Sequence, residues 1–329
     1  MKEKVVWFLV VSSFLLAAPA QVAHAHEGRP LAPHDLWVQW NWNITLWLGL
    51  ILTAWCYRRG LQVLQKLPGR DQAPPRQQQW AFAGGLLALF VALISPLNTL
   101  GLTLFSAHTV QHDLLMLAAA PLLVLSKPLN VLRAAVPALW RYRAGRFWKN
   151  AEALRASWQT LTQPGVVLLL HAGLLWAWHL PGLYQATRDD GIAHLAAHVS
   201  FFGMALLFWA MLFQPPSRRW AGYRAGGWYV LGMAAQSLVF GTLILLARAP
   251  WYPDYQGHIA AWRLTPLGDQ RLAALFFGIP AVAIYLWAAS SLFAIRFGGV
   301  ARPTANPASS PQPTPTDQAE QNQNAARVL

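Results

Sequence analysis

Long apolar runs alternate with short polar connectors along the chain, a pattern that predicts membrane-spanning helices. Seven runs beyond the N-terminal region approach or exceed the roughly 20 residues needed to cross a bilayer core. They cover residues 36–57, 80–97, 108–126, 164–180, 194–213, 226–247 and 271–295. The predicted fold class is therefore all-α, a polytopic membrane helix bundle of about seven transmembrane helices.

The N-terminal region has the three parts of an export signal. Lys2 and Lys4 precede an apolar stretch at 5–18, and Ala23-His24-Ala25 has the small-x-small form of a signal peptidase site. We expect cleavage after Ala25; an uncleaved anchor is the alternative, although the apolar stretch is shorter than a full span. The predicted organisation is a signal peptide at 1–25, a periplasmic segment at 26–35, a membrane domain at 36–297 and a cytoplasmic tail at 298–329. The tail is rich in Pro, Ser, Thr, Gln and Asn, which predicts disorder.

Basic residues are concentrated in alternate connectors, which sets the predicted orientation. Segments 58–79, 127–163 and 214–225 hold five, seven and three Lys or Arg. The connectors between them carry few charges or nearly balanced ones. By the positive-inside rule the basic connectors face the cytoplasm, so the mature N-terminus is periplasmic and the C-terminus cytoplasmic. The protein is predicted to lie in a bacterial inner membrane.

Composition agrees with a membrane protein and excludes several other classes. The chain is 55% hydrophobic and 11% charged, and its net charge of +13 resides in short connectors rather than on a soluble basic face, so nucleic acid is not a predicted partner. A single cysteine, Cys56, excludes an internal disulfide framework and a CxxC site. Phosphate-binding loops, paired catalytic carboxylates and a Ser-His-Asp order are not recognisable, so we do not expect an enzyme.

Histidine is the residue whose placement points to chemistry. Outside the signal peptide the histidines are His26, His34, His108, His112, His171, His179, His194, His198 and His258. Their sequence positions put none of them in a predicted cytoplasmic connector or in the tail. All but His171, which falls deeper in its span, map to the predicted periplasmic side.

Two histidine pairs have the i, i+4 spacing that places both side chains on one helix face, where two imidazoles can reach one metal ion. These pairs are His108 with His112 and His194 with His198, each at the periplasmic end of a predicted span. Met116 continues the face of His112 by one turn, and a thioether favours Cu(I) among the common metals. With His179 at the end of a third span, the candidate copper ligands are His108, His112, His179, His194, His198 and Met116.

Several other interpretations of these residues remain open. The histidines can be hydrogen-bonded packing residues, and paired histidines also suit a bis-histidine haem or quinone protein. A copper permease is a third possibility. It would need metal ligands along the depth of the membrane, and His171, which lies deeper in its span than His179, is the only residue that indicates such a path. After cleavage His26 could chelate a metal together with His34. Three aspartates near the same boundary either hydrogen-bond to a histidine and fix its tautomer or lie at helix N-termini, where they face the helix dipole: Asp113, Asp254 and Asp269.

These residues also carry a family resemblance. The matching pieces are Ser95-Pro96-Leu97, the block from Phe105 to Met116, Pro121-Leu122-Leu123, Trp178-His179-Leu180-Pro181, His194 with His198, Tyr252-Pro253 with Tyr255, and Asp269-Gln270. In this order they resemble the CtaG-type multispan cytochrome c oxidase assembly proteins of bacteria, over residues 80–287. The chain departs from that pattern at Thr109, where the family often has Met, and at Asp113, where it has Leu.

The resemblance implies an accessory role in building a copper-containing terminal oxidase, with metal handling at the periplasmic face. Its implied partners are oxidase subunits or copper chaperones, in addition to the lipid bilayer. The implied cofactor is copper, held by the histidine cluster.

Overall fold

The computed structural model describes residues 32–66, 73–213, 223–252 and 259–298, and its regular structure within these ranges is entirely helical. A short 3-10 turn at Pro33–Val38 precedes the first helix, α1 (Ile44–Lys66). The other helices are α2 (Arg76–Leu93), α3 (Pro96–Thr103), α4 (Phe105–Leu125), α5 (Leu129–Ala135), α6 (Ala138–Asn150), α7 (Glu152–Leu161), α8 (Pro164–Trp178), α9 (Pro181–Asp189), α10 (Gly191–Phe213), α11 (Tyr223–Leu246) and α12 (Pro266–Gly298). The predicted signal peptide and the tail beyond residue 298 lie outside the described residues.

Four of the described helices are long and apolar enough to cross a membrane: α4, α10, α11 and α12. Two bent pairs can each form one further span, α2 with α3 at 44° and α7 with α8 at 75°. The protein is therefore a helical multi-pass membrane protein with four to six candidate spans in the described part of the chain. Helix α1 corresponds to the first predicted span and is not among them, because Arg58 and Arg59 interrupt its apolar run. The count of seven stays a prediction.

The helix ends differ from the predicted boundaries where capping or proline determines them. Helix α1 starts at Ile44 rather than at 36 because the Asn43 side chain accepts hydrogen bonds from the backbone N–H groups of Thr45 and Leu46, at 2.9 and 3.4 Å. Helix α2 ends at Leu93, and α3 begins at Pro96 after the bend. Proline suits the first turn of a helix, whereas in a helix interior it removes a backbone hydrogen bond and bends or ends the helix.

Helix α4 is not regular along its whole length. A π-helical segment at Leu114–Ala119 separates two α-helical parts, Phe105–Asp113 and Ala120–Leu125. Such segments leave backbone carbonyls differently directed from those of an α-helix. One of these carbonyls, on Met116, accepts a 2.9 Å hydrogen bond from the Trp209 indole of α10. The irregular segment is thus held by the neighbouring span.

The bundle packs closely where small residues meet. Helix α11 packs along α12, where a Cβ on Gly241 would lie 3.4 Å from the Ala274 carbonyl oxygen and 3.4 Å from the Gly278 Cα. Small residues permit this approach of two backbones inside a membrane. Helix α12 also packs against the first part of α4, and α8 packs against α10. These contacts bring the ends of α4, α8, α10 and α12 to one side of the bundle.

Candidate metal site

The helix that carries the first histidine pair is capped by a residue from another span. Asp269 is 1% exposed and lies in the first turn of α12, as a carboxylate facing that helix dipole should. Its side chain also accepts hydrogen bonds from the backbone N–H groups of Phe105, at 2.7 Å, and Ser106, at 3.2 Å, and from the Ser106 hydroxyl. Asp269 therefore accepts from donors at the start of α4 and not from a histidine, so it does not fix the tautomer of a histidine in the cluster.

The first pair lies just below this cap on one face of α4. The ring centroids of His108 and His112 are 4.5 Å apart, and His112 is 8% exposed. Between them, the Thr109 hydroxyl donates to the Phe105 carbonyl at 2.9 Å and so stays within its own helix. Both imidazoles face the neighbouring span, α10, where the His198 ring centroid lies 6.0 Å from that of His108.

The second pair comes from the first turns of α10. Asp190 precedes this helix and its side chain accepts from the backbone N–H of Ile192 at 2.9 Å, which fixes where the helix begins. His194 and His198 follow one turn apart, with ring centroids 4.4 Å from each other. His198, which is 6% exposed, packs against the first pair: its ring centroid is 4.7 Å from that of His112.

Three imidazoles are positioned to share one ion. One nitrogen from each of His108, His112 and His198 lies within 4.8 Å of the other two. Three imidazole nitrogens bonded to one ion at about 2 Å lie about 3.5 Å apart, so the nitrogens need to approach one another by up to about 1.5 Å. The Nε2 atom of His198 is buried and has no hydrogen-bond partner among the described protein groups. A metal ion at this position would occupy that unsatisfied nitrogen.

His194 and His179 flank the three-histidine cluster without completing it. The His194 ring stacks on the His198 ring, with the ring centroids 4.4 Å apart. His179 follows the last residue of α8, and its Nδ1 is 2.7 Å from the Leu175 carbonyl oxygen. If that nitrogen carries the proton, Nε2 is left as the acceptor. The His179 ring packs edge-on against Phe240 at 4.5 Å, and it lines the same cavity as the cluster.

The cluster lines a small, partly open cavity. About 40 Å³ is accessible to the centres of water-sized molecules, enough for on the order of three waters. The walls are imidazole, aromatic, aliphatic and hydroxyl groups, together with the Met116 side chain, which is 5% exposed. All six residues predicted as ligands line this cavity: His108, His112, His179, His194, His198 and Met116.

The remaining candidates from the sequence lie elsewhere. His171 is buried at 5% exposure, and its ring is 6.3 Å from Phe208 in the packed middle of the bundle. His34 is exposed, with 80% of its side chain accessible and a nitrogen 3.4 Å from Asp35. His26, His258 and Asp254 lie outside the described residues, so the proposed surface chelate of His26 and His34 stays a prediction.

Sequence reasoning missed residues that the connectors contribute. The segment between α8 and α10 is not an open loop: helix α9 places Tyr184 and Thr187 in the cavity wall. The spacing of these two residues, i and i+3 after Pro181, is a helical signal that could have identified them. Tyr252 does not line the cavity, but its hydroxyl donates to the His179 carbonyl at 2.9 Å and so holds the backbone of that histidine.

Comparison with known proteins identifies the family. No curated protein and no solved structure gives a significant match to the chain. The family of the cytochrome c oxidase caa3 assembly factor (Caa3_CtaG) matches residues 55–296, which include the whole histidine cluster. Because that match spans well over half of the 329 residues, the chain belongs to the cytochrome c oxidase caa3 assembly factor family.

Proposed function

We propose that this protein is an accessory factor, not an enzyme, that binds copper at the periplasmic face of a bacterial inner membrane and supports assembly of a copper-containing cytochrome c oxidase. The observation that carries the proposal is the convergence of His108, His112 and His198 on one small cavity. The family's role in oxidase assembly indicates that the bound copper is meant for a cytochrome c oxidase. The proposed partners are oxidase subunits or copper chaperones that meet this face.

The side of the membrane follows from charge. The cluster lies at the N-terminal ends of α4 and α10, and the connector before each is poor in Lys and Arg or balanced by Asp. The connector from Lys127 to Gln163, at the other end of α4, carries seven basic residues. With the positive-inside rule, this supports a periplasmic cluster, a seven-span bundle after a cleaved signal, and a cytoplasmic C-terminus.

The size of the cavity favours a metal ion over the other cofactors considered. Space for about three waters accommodates one ion and a small ligand. A porphyrin or quinone ring is several times larger and would require the four helix ends to separate. The permease alternative needs ligands along the membrane depth, but His171 packs against Phe208 and does not line the cavity.

Metal content of the purified full chain tests the proposal. We expect copper to remain bound to the wild type after removal of free metal, and His112→Ala or His198→Ala to lose most of it. His171→Ala is the matched control because it removes a buried histidine outside the cavity and should keep the copper. Helix content measured by circular dichroism checks that all three variants are folded. Full copper occupancy in both cluster variants would show that the histidines are structural.

A deletion strain tests the cellular role. Loss of the protein should lower the activity of a copper-containing oxidase in copper-limited cells while transcripts of its subunits stay constant. Complementation with His171→Ala, but not with His112→Ala, should restore the activity. Normal oxidase activity in the deletion strain would contradict the assembly role.

A further inference from the structure

The lining of the cavity indicates which charge state of copper it accepts. We propose that the cluster is selective for monovalent Cu(I), with the Met116 thioether as an additional ligand on the buried side of His112. This inference rests on the proposed function and makes it more specific. It concerns the oxidation state of the cargo, and it can fail while copper binding itself holds.

The ligands available in the cavity are uncharged. Within the described part of the chain, the cavity wall contains no aspartate, glutamate or cysteine. The neighbouring carboxylate, Asp113, follows His112 in α4 but does not line the cavity. Neutral imidazoles and a thioether leave the full charge of a bound ion uncompensated. The free energy needed to move an ion from water into a poorly polarisable site rises with the square of its charge. It is therefore about four times as large for a divalent ion as for a monovalent one.

A positive side chain at the end of α9, Arg188, increases this discrimination. The Arg188 guanidinium, at the end of α9, acts electrostatically on both His108 and His194. Arg188 also lies within 3.5 Å of the Leu102 carbonyl oxygen, which holds it beside the start of α4. A positive charge at this position repels a divalent ion twice as strongly as a monovalent one. Three neutral imidazoles can also hold Zn²⁺ when a water or hydroxide completes its coordination, so discrimination against Zn²⁺ depends on this charge effect together with a soft donor atom.

Met116 supplies the soft donor atom on the inner side. It lies four residues after His112, is 5% exposed and lines the cavity. Its backbone is held in the π-helical segment by the 2.9 Å hydrogen bond from Trp209 to its carbonyl. Met204, Met211 and Met233 are also buried, but none of them lines the cavity. Soft thioether ligands select Cu(I) over harder ions, so this placement favours Cu(I).

Competition measurements on the purified full chain test the inference. Under anaerobic conditions, Cu(I) affinity is measured against a chromophoric Cu(I) chelator, and Zn(II) and Cu(II) affinities are measured in parallel against chelators of those ions. We expect Cu(I) to be retained at least about tenfold more tightly than Zn(II), since a neutral site with a thioether favours the softer, singly charged ion. Met116→Leu, which conserves volume, should weaken Cu(I) binding by about tenfold and change Zn(II) binding by less than about twofold.

Met233→Leu is the matched control, because it makes the same change at a buried methionine outside the cavity and should alter neither affinity. X-ray absorption on the copper-loaded wild type provides a second measurement that needs no variant, and we expect a sulfur scatterer in the first coordination shell.

Zn(II) retention equal to that of Cu(I), a Met116→Leu variant indistinguishable from Met233→Leu, or a copper shell without sulfur would overturn the Cu(I) assignment while leaving copper binding intact. A wild type that retains none of the three ions would overturn the proposed function as well.

Discussion

Asp269 is expected to be the most sensitive polar position in the bundle, because one buried carboxylate satisfies three donors at the start of α4. Asp269→Ala would leave the N–H groups of Phe105 and Ser106 and the Ser106 hydroxyl without this acceptor. Each unsatisfied buried donor costs about 1–3 kcal/mol, and neighbouring losses are not fully additive, so we expect a total destabilisation of about 3–5 kcal/mol.

Two milder substitutions should each cause only part of the destabilisation expected for Asp269→Ala. Ser106→Ala removes only the hydroxyl, which should cost about 1 kcal/mol. Asp269→Asn keeps the oxygen that faces Ser106 but places an amide N–H opposite the N–H of Phe105, so about 2 kcal/mol is expected. The predicted order of stability is wild type, Ser106→Ala, Asp269→Asn and Asp269→Ala.

The measurement is unfolding by denaturant in mixed micelles, followed by circular dichroism and tryptophan fluorescence. Asp189→Ala is the matched control, because Asp189 is an exposed carboxylate near the same end of the bundle and should change stability by less than about 0.5 kcal/mol. Copper retention should fall in parallel with the loss of the cap, since the first turns of α4 carry His108. If Asp269→Ala were no less stable than Ser106→Ala, the role of Asp269 as the cap of α4 would be refuted.

Three further predictions follow from other parts of the chain. A reporter fused after Arg155 should be cytoplasmic and one fused within 182–191 periplasmic, and the opposite result at either site would reverse the assigned sides. Gly60→Ala should destabilise the protein by about 2 kcal/mol or more in the same unfolding assay, because the new Cβ would lie 1.9 Å from the Val131 carbonyl oxygen. Gly145→Ala is its control: this glycine has open space around it, so the change should be neutral or slightly stabilising. Gln111→Leu should cost about 1–3 kcal/mol, because the buried amide donates to the Ala92 carbonyl at 2.9 Å and to the Asn98 side chain at 3.0 Å, and unchanged stability would argue that water replaces it.

The helical class and the multi-pass membrane character were predictable because a bilayer imposes long apolar runs on the sequence. The residues at which the helices begin and end were harder to predict. The start of α1 depends on the side chain of Asn43, and the bend after α2 depends on Pro96; both are local signals that a hydropathy window averages away. The connector helices were missed for the same reason, since their amphipathic spacing is hidden by their polarity.

The candidate site could be anticipated in part. The i, i+4 spacing of His108 with His112 and of His194 with His198 predicted two shared faces, and these faces do meet. Which rings lie close enough to share an ion depends on how α4 and α10 pack, and only His198 of the second pair joins the first. The cap from Asp269 connects residues 164 positions apart, a contact that no local pattern encodes.

The π-helical segment at Leu114–Ala119 carries a consequence for how this sequence can vary in length. A π segment contains one more residue than the α-helical turn it replaces, so deleting a residue there would restore a continuous α-helix. Because the extra residue is absorbed within one turn, that deletion would leave the part bearing His108 and His112 in nearly the same orientation relative to the part that ends at Leu125. A residue inserted where the helix stays α-helical would instead turn the pair by about 100° and away from His198. The π segment therefore allows this span to differ in length by one residue while the pair still faces the second span.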